Sequence, residues 1–130
     1  MRLEEIRNIL GAEWCGPRPN GADGPDREIG SCHASDLMSD VLVLSGVGSL
    51  LLTGLTSAQV VRAAEVSDFA AVCFVRGKKP QREAVALAED KHISLLVTRL
   101  SMFESCGRLY ARGVPPAEAA QGEGNCRTSK

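Results

Sequence analysis

The sequence is poor in aromatic side chains, which make up only 4% of its 130 residues. Its core must therefore be packed mostly with Val, Leu, Ile and Ala. It also lacks an excess of either charge: the formal net charge is -1, so no basic surplus recommends nucleic acid as a partner. No apolar run is long enough to span a bilayer. The first residues, MRLEEIRNIL, are amphipathic and lack the apolar centre of a signal peptide. The expectation is a soluble cytoplasmic protein with neither a nucleic-acid nor a membrane partner. The length suits one compact domain and not two.

Cysteine pairs at metal-binding spacing are missing as well. Cys15, Cys32, Cys73, Cys106 and Cys126 include no CxxC, and their number is odd. Free thiols in a reducing compartment fit this set. Cys73, inside AAVCFV, reads as a small buried hydrophobe. Cys32-His33 is the one Cys/His neighbour pair, but adjacent residues on an extended chain face opposite ways. His92 is the only other histidine and stands between a helical stretch and a strand. There is no phosphate-binding G-x-x-x-x-G-K-[ST], no G-x-S-x-G and no H-E-x-x-H. No catalytic machinery, metal site or cofactor is expected.

What is present is a regular alternation. A helical stripe runs from Leu3 to Leu10, and Gly11 can end it. Cys15 to Pro25 reads as an irregular loop, Arg27 to Ala34 as a short strand, and Asp36 to Asp40 as one turn of helix. The state of Val41 to Leu44 stays open, and Ser45 to Ser49 reads as a turn. Strands are then predicted at Leu50–Thr53, Ala70–Val75 and Ile93–Thr98. Helices are predicted at Ser57–Val66, Gln81–Asp90 and Met102–Arg112. Gly113 closes the last helix, and Pro115-Pro116 forbids its continuation. Such alternation means a parallel sheet between helical layers, and strands apolar throughout are strands covered on both faces. The fold class is α/β, a three-layer α/β/α arrangement with a mostly parallel sheet.

Right-handed crossovers place the carboxyl ends of the strands along one edge, where ligands of open α/β sheets usually sit. That edge gathers Thr53-Gly54-Leu55-Thr56-Ser57, Arg76-Gly77-Lys78-Lys79 and Thr98-Arg99-Leu100-Ser101. Small hydroxyls, glycines, cations and helix N-termini together make an anion site. The candidate ligand-binding residues are Gly54, Thr56, Ser57, Arg76, Lys78 and Ser101. A simpler reading stands beside this one. Thr56-x-x-Gln59 and Ser101-x-x-Glu104 are capping boxes, whose side chains would close the same amides. Asp36 and Asp40 form a second candidate: four apart, they would share a helix face and could hold a cation or a ligand hydroxyl, or simply cap a short helix.

The stretches SDLMSDVL, LLLTGLTSAQVVRAAE, AAVCFVRGKKP and TRLSMFESCGRLY together resemble the small stand-alone DRTGG-domain proteins. The resemblance implies an α/β fold similar to the N-terminal domain of HPr kinase/phosphorylase, without kinase activity. It spans residues 1–113 as one domain, and residues 114–130 are expected to be a flexible tail. Where the motif would read Asp-Arg-Thr-Gly-Gly, this chain has Thr53-Gly54-Leu55-Thr56-Ser57. The resemblance implies no ligand contacts through the motif's own Asp and Arg. Relatives are fused to CBS domains that bind adenine nucleotides, or stand near genes for hydrogenase subunits in anaerobes. Two functions follow as expectations. One is a non-catalytic regulatory domain, homodimeric, that binds a small anionic metabolite or nucleotide at the carboxyl edge. The other is a protein-interaction subunit of a redox, hydrogenase-type complex, with Met38, Leu42 or the last helix as contact positions.

Overall fold

A computed structural model describes residues 1–16 and 24–118. The elements run α1 (Leu3–Leu10), β1 (Glu13–Trp14), β2 (Ser31–Ala34), α2 (Met38–Leu42), β3 (Ser49–Thr53), α3 (Ala58–Val66), β4 (Ala71–Phe74), α4 (Arg82–Asp90), β5 (Ser94–Val97) and α5 (Met102–Ala111). The sheet order is β1-β5-β4-β3-β2. β2 to β5 are mutually parallel, and β1 pairs antiparallel with β5. Helices cover both faces, so the expected three-layer α/β/α fold with a mostly parallel sheet is what forms.

The two-sided apolar strands explain the layers. Every residue of β3 and β4 is buried. Leu50 and Leu52 pack on one face with Leu3, Ile6 and Leu109 of α1 and α5. Leu51, between them, packs on the other with Val41, Val60, Val61 and Ala84 of α2, α3 and α4. The period of two along the strand thus divides one leucine run between two cores.

Four helices end in the same way. One or two residues past the helix the chain turns left-handed: Gly11, Asp68, His92 and Gly113 have φ of 60, 65, 59 and 90°. The amide one residue further on then bonds back into the last turn, as in Phe69 N–H to Ala64 O at 2.8 Å and Ile93 N–H to Ala88 O at 2.9 Å. The donors Ala12, Phe69, Ile93 and Val114 are all buried, so each cap also anchors the chain leaving the helix. His92 is therefore a turn residue, whose carbonyl accepts from the Arg27 guanidinium at 2.7 Å.

Several local expectations are corrected. The strand predicted from Arg27 is confined to Ser31–Ala34, because Arg27 and Ile29 give their amides to loop carbonyls and to Met1 O. Val41 and Leu42 continue α2. Glu13 and Trp14, at the entrance to the predicted loop, form the edge strand β1; residues 17–23 of that loop lie outside the described residues. After Gly113 the chain stays on the sheet: Cys32 N–H bonds Pro115 O at 3.0 Å, and Ala117 N–H bonds Cys32 O at 2.9 Å. Residues 119–130 of the expected tail, with Cys126, lie outside the described residues.

The left-handed caps supply a test. Gly113→Ala puts a Cβ on a left-handed residue and should lower stability by about 1–2 kcal/mol. Asp68→Gly removes such a Cβ and should leave stability unchanged or raise it by up to about 1 kcal/mol. Urea denaturation midpoints measure both.

Candidate functional site

The parallel register brings the ends of β2, β3, β4 and β5 to one edge, as expected. The turn after β3 is held from the side by β2. Ser35 N–H bonds Leu52 O at 3.0 Å, which sets the next residue, Asp36, beside Gly54. Asp36 Oδ1 accepts the Gly54 amide at 2.6 Å and the Thr53 hydroxyl at 3.1 Å. Thr53 Oγ1 in turn accepts the Leu55 amide at 3.1 Å. The Gly54 amide is therefore engaged by a carboxylate of its own chain. Gly54 needs no left-handed φ, and a Cβ there would stand 3.5 Å from the Asp36 carboxylate, an ordinary contact.

The capping box expected at Thr56 and Gln59 is not formed. The helix starts one residue later, with Ser57 as N-cap, and no side chain caps it. Thr56 instead presents its carbonyl to the Gln81 amide at 2.9 Å. Gln81 is the N-cap of α4, and that helix also has no side-chain cap. The bond from Thr56 to Gln81 places the starts of α3 and α4 side by side, with neither closed by its cap residue's side chain. At α5 the expected cap does form: Ser101 Oγ accepts the Glu104 amide at 3.1 Å.

Between β4 and α4, Arg76 and Gly77 both have positive φ, 59 and 69°, and Lys78 N–H bonds Val75 O at 3.2 Å. This is a type I′ turn, where Gly77 serves its backbone conformation. Arg76 N–H bonds Leu100 O and Gly77 N–H bonds Thr98 O, each at 2.8 Å, so the turn is tied to the loop before α5. Thr98 repeats the role of Thr53: it accepts the Leu100 amide at 3.2 Å and donates to Leu10 O at 2.7 Å. The side chains of Arg76, Lys78, Lys79 and Arg99 are exposed, and among the described residues none pairs with a carboxylate. Helix starts and unpaired cations bring positive charge to the rim, beside Asp36 at Gly54 and Glu83 in the first turn of α4.

The two aspartates separate. α2 begins at Met38 behind Leu37, so Asp36 lies before the helix and does not share a face with Asp40. Asp40 is exposed and acts instead on His33 of β2. His33 Nε2 is buried and has no hydrogen-bond partner among the described residues. Burial lowers the His33 pKa below 6.5, against the upward pull of Asp40. Cys32 faces the opposite layer, where burial pushes its thiol up to about 12, and burial pushes Cys15 up to about 11. These thiols stay protonated at neutral pH and are poor nucleophiles. No group of three or more His, Cys, Asp or Glu among the described residues could hold a metal ion.

The link between Asp36 and Gly54 is the feature that pattern reading missed, because it joins residues 18 apart through strand pairing. Its one sequence signal is the repeated Thr-x-Leu at Thr53 and Thr98, each directly after an apolar strand. Three cavities lined by described residues, of about 340, 350 and 610 Å³, lie away from this rim. No described helix is long and apolar enough to cross a membrane.

Two outcomes are expected. Asp36→Ala removes the acceptor of a buried threonine hydroxyl and of an amide, and should cost about 1–3 kcal/mol in urea denaturation. For His33, the folded pKa lies below the unfolded one, so on acidification the unfolded chain takes up the proton first. Its contribution to stability is present above 6.5 and is lost as pH falls through the folded value. His33→Asn should therefore flatten the fall in urea midpoint between about pH 7.5 and 5.5.

No family model matches the sequence, and no curated protein matches it. Among solved structures the chain is similar to the CBS and DRTGG domains of the regulatory region of Clostridium perfringens pyrophosphatase, in complex with its activator diadenosine tetraphosphate. Identity is 16% and the TM-score 0.63, over 88% of this chain and 47% of that one, so this chain spans about half the length of that structure. With four parallel strands between two helical layers and this structural neighbour, the fold is DRTGG-like.

Proposed function

We propose that this chain is a non-catalytic, cytoplasmic regulatory domain, homodimeric, that binds a small anionic metabolite or nucleotide at the carboxyl edge of its sheet. The observation that carries the reading is the pair of adjacent helix starts at Ser57 and Gln81, neither closed by a side-chain cap. Lys78 and Arg76 stand on the loop leading to the second, exposed and unpaired among the described residues. Free amides, partial positive charge and cations are what a phosphate or carboxylate needs. The structural neighbour supports the class: it is a regulatory region, and its activator is a nucleotide. Thr56 and Ser57 line the α3 side of this seat. Gly54 and Ser101 are support, since Asp36 and the capping of Glu104 already engage them.

A second reading, a protein-interaction subunit such as a partner in a redox complex, draws on exposed apolar side chains. Leu37, Leu42 and Val43 around α2, and Phe103 and Tyr110 on α5, all face solvent.

Calorimetry and thermal shift with ATP, ADP, AMP, diadenosine tetraphosphate, acetyl phosphate and inorganic phosphate separate the two. At least one of these should bind, and Lys78→Glu should weaken it about tenfold, equivalent to about 1.4 kcal/mol. Folded protein that binds none of them at millimolar concentration would exclude the ligand reading.

A further inference from the structure

The strongest unexplained surface is the outer face of α5. Phe103 and Tyr110 are 86% and 74% exposed, although aromatic side chains are only 4% of the chain. Large exposed aromatics grouped on one face mark an interaction surface. Between them stands Gly107, where an added Cβ would meet nothing within 4 Å. Ser105 and Leu109 point inward, fixing the opposite face as the outward one. At about 100° per residue, Gly107 lies at the centre of that outward face, with Phe103 and Tyr110 on one stripe beside it, about 40° and 60° round. A glycine at the centre of a helix face lets a second backbone come close. The face continues into an apolar groove of about 340 Å³ between α5 and the segment at Pro115-Pro116, with Cys106 on its wall.

The charges on α5 say what packs there. Glu104 lies in the first turn; Arg108 lies on the same rim, one of its guanidinium nitrogens donating to Ile9 O at 3.1 Å and the rest of its donors left over, and Arg112 follows at the C-cap. A twofold axis at Gly107 would run a second α5 antiparallel to the first. It would bring residues before Gly107 opposite residues after it. Phe103 then falls beside Tyr110 of the second copy, twice. Glu104 falls between Arg108 and Arg112 of the second copy, also twice. The two helix dipoles oppose, and each acidic first turn meets a basic last turn. A parallel arrangement would set Glu104 against Glu104 and the arginines against each other. The helix is thus complementary to itself in one orientation. The apolar patch around α2 has only Asp40 in its helix and offers no such pairing.

We propose that α5 is the homodimer interface of this protein, two copies crossing antiparallel at Gly107. The dimeric state belongs to the function proposed above, while the surface and its orientation are new. An interface built on a ten-residue helix is small, so the dimer should dissociate on dilution.

Light scattering across a concentration series tests the proposal. The wild-type chain should pass from monomer to dimer mass as concentration rises. Gly107→Lys, whose side chain enters open space and whose helix propensity is better than glycine's, should stay folded and monomeric. Glu104→Arg should also be monomeric, and pairing it with Arg108→Glu and Arg112→Glu in the same chain should restore the dimer. A monomer mass at every concentration overturns both the dimer and this interface. A dimer unaffected by Gly107→Lys overturns this interface alone. Neither result bears on ligand binding at the carboxyl edge, which calorimetry reads separately.

Discussion

Two strands that are apolar on both faces govern this structure. β3 and β4 are buried at every residue, so water can be left on neither side of them. Each therefore needs a helical layer above and below. Leu51 facing one core, and Leu50 and Leu52 the other, is the local form of that requirement. Burying both faces leaves only the outer strands and the two ends of the sheet to solvent. The outer strands are covered in turn. β1 lies antiparallel along β5, and the chain around Pro116 bridges to Cys32 of β2. An unpaired strand edge is a template for aggregation, and short covering segments blunt it.

The two ends of the sheet are finished differently. At the amino end, α3 and α4 finish in left-handed caps whose following amides bond back into the helix. Arg27 adds bonds to His92 O and Ser94 Oγ at 2.7 and 3.2 Å. At the carboxyl end, Thr53 and Thr98 accept the amides of Leu55 and Leu100 just past β3 and β5, and Ser101 caps α5. The starts of α2, α3 and α4 at this end have no side-chain cap. What distinguishes α3 and α4 is that the bond from Gln81 N–H to Thr56 O sets their two open starts side by side.

The layers and the parallel core strands were legible because they rest on short-range patterns. Runs such as LLLT and AAVCFV, separated by amphipathic stretches, leave little freedom in fold class. Elements that depend on pairing were less legible. β1 has only two residues, and its strand character comes from the neighbouring β5. The start of α3 misled for a similar reason. Thr56-x-x-Gln59 fits a capping box locally, but the carbonyl of Thr56 is drawn to Gln81, from a helix more than twenty residues further on. Asp36 could not be assigned to Gly54 from spacing at all, since only the register of β2 on β3 brings them together. Tertiary contacts decide which local option is used, and at this rim they chose against the local one.

The same contacts shape the ligand reading. Asp36 puts a negative charge on the Gly54 amide, the backbone group nearest the end of the central strand. An anion is repelled from that point. On the α5 side, the amides of Arg76 and Gly77 are spent on Leu100 and Thr98, and Ser101 holds the amide of Glu104. What remains is the interval between Ser57 and Gln81, with the cations of the β4–α4 loop beside it. The proposed seat therefore belongs to the α3/α4 layer, whereas the outward face of α5 belongs to the opposite layer. The two surfaces do not compete for the same residues. A dimer through α5 would leave the rim of each copy open. The tie from Arg76 and Gly77 to the loop before α5 would set a ligand beside α4 against backbone continuous with that helix.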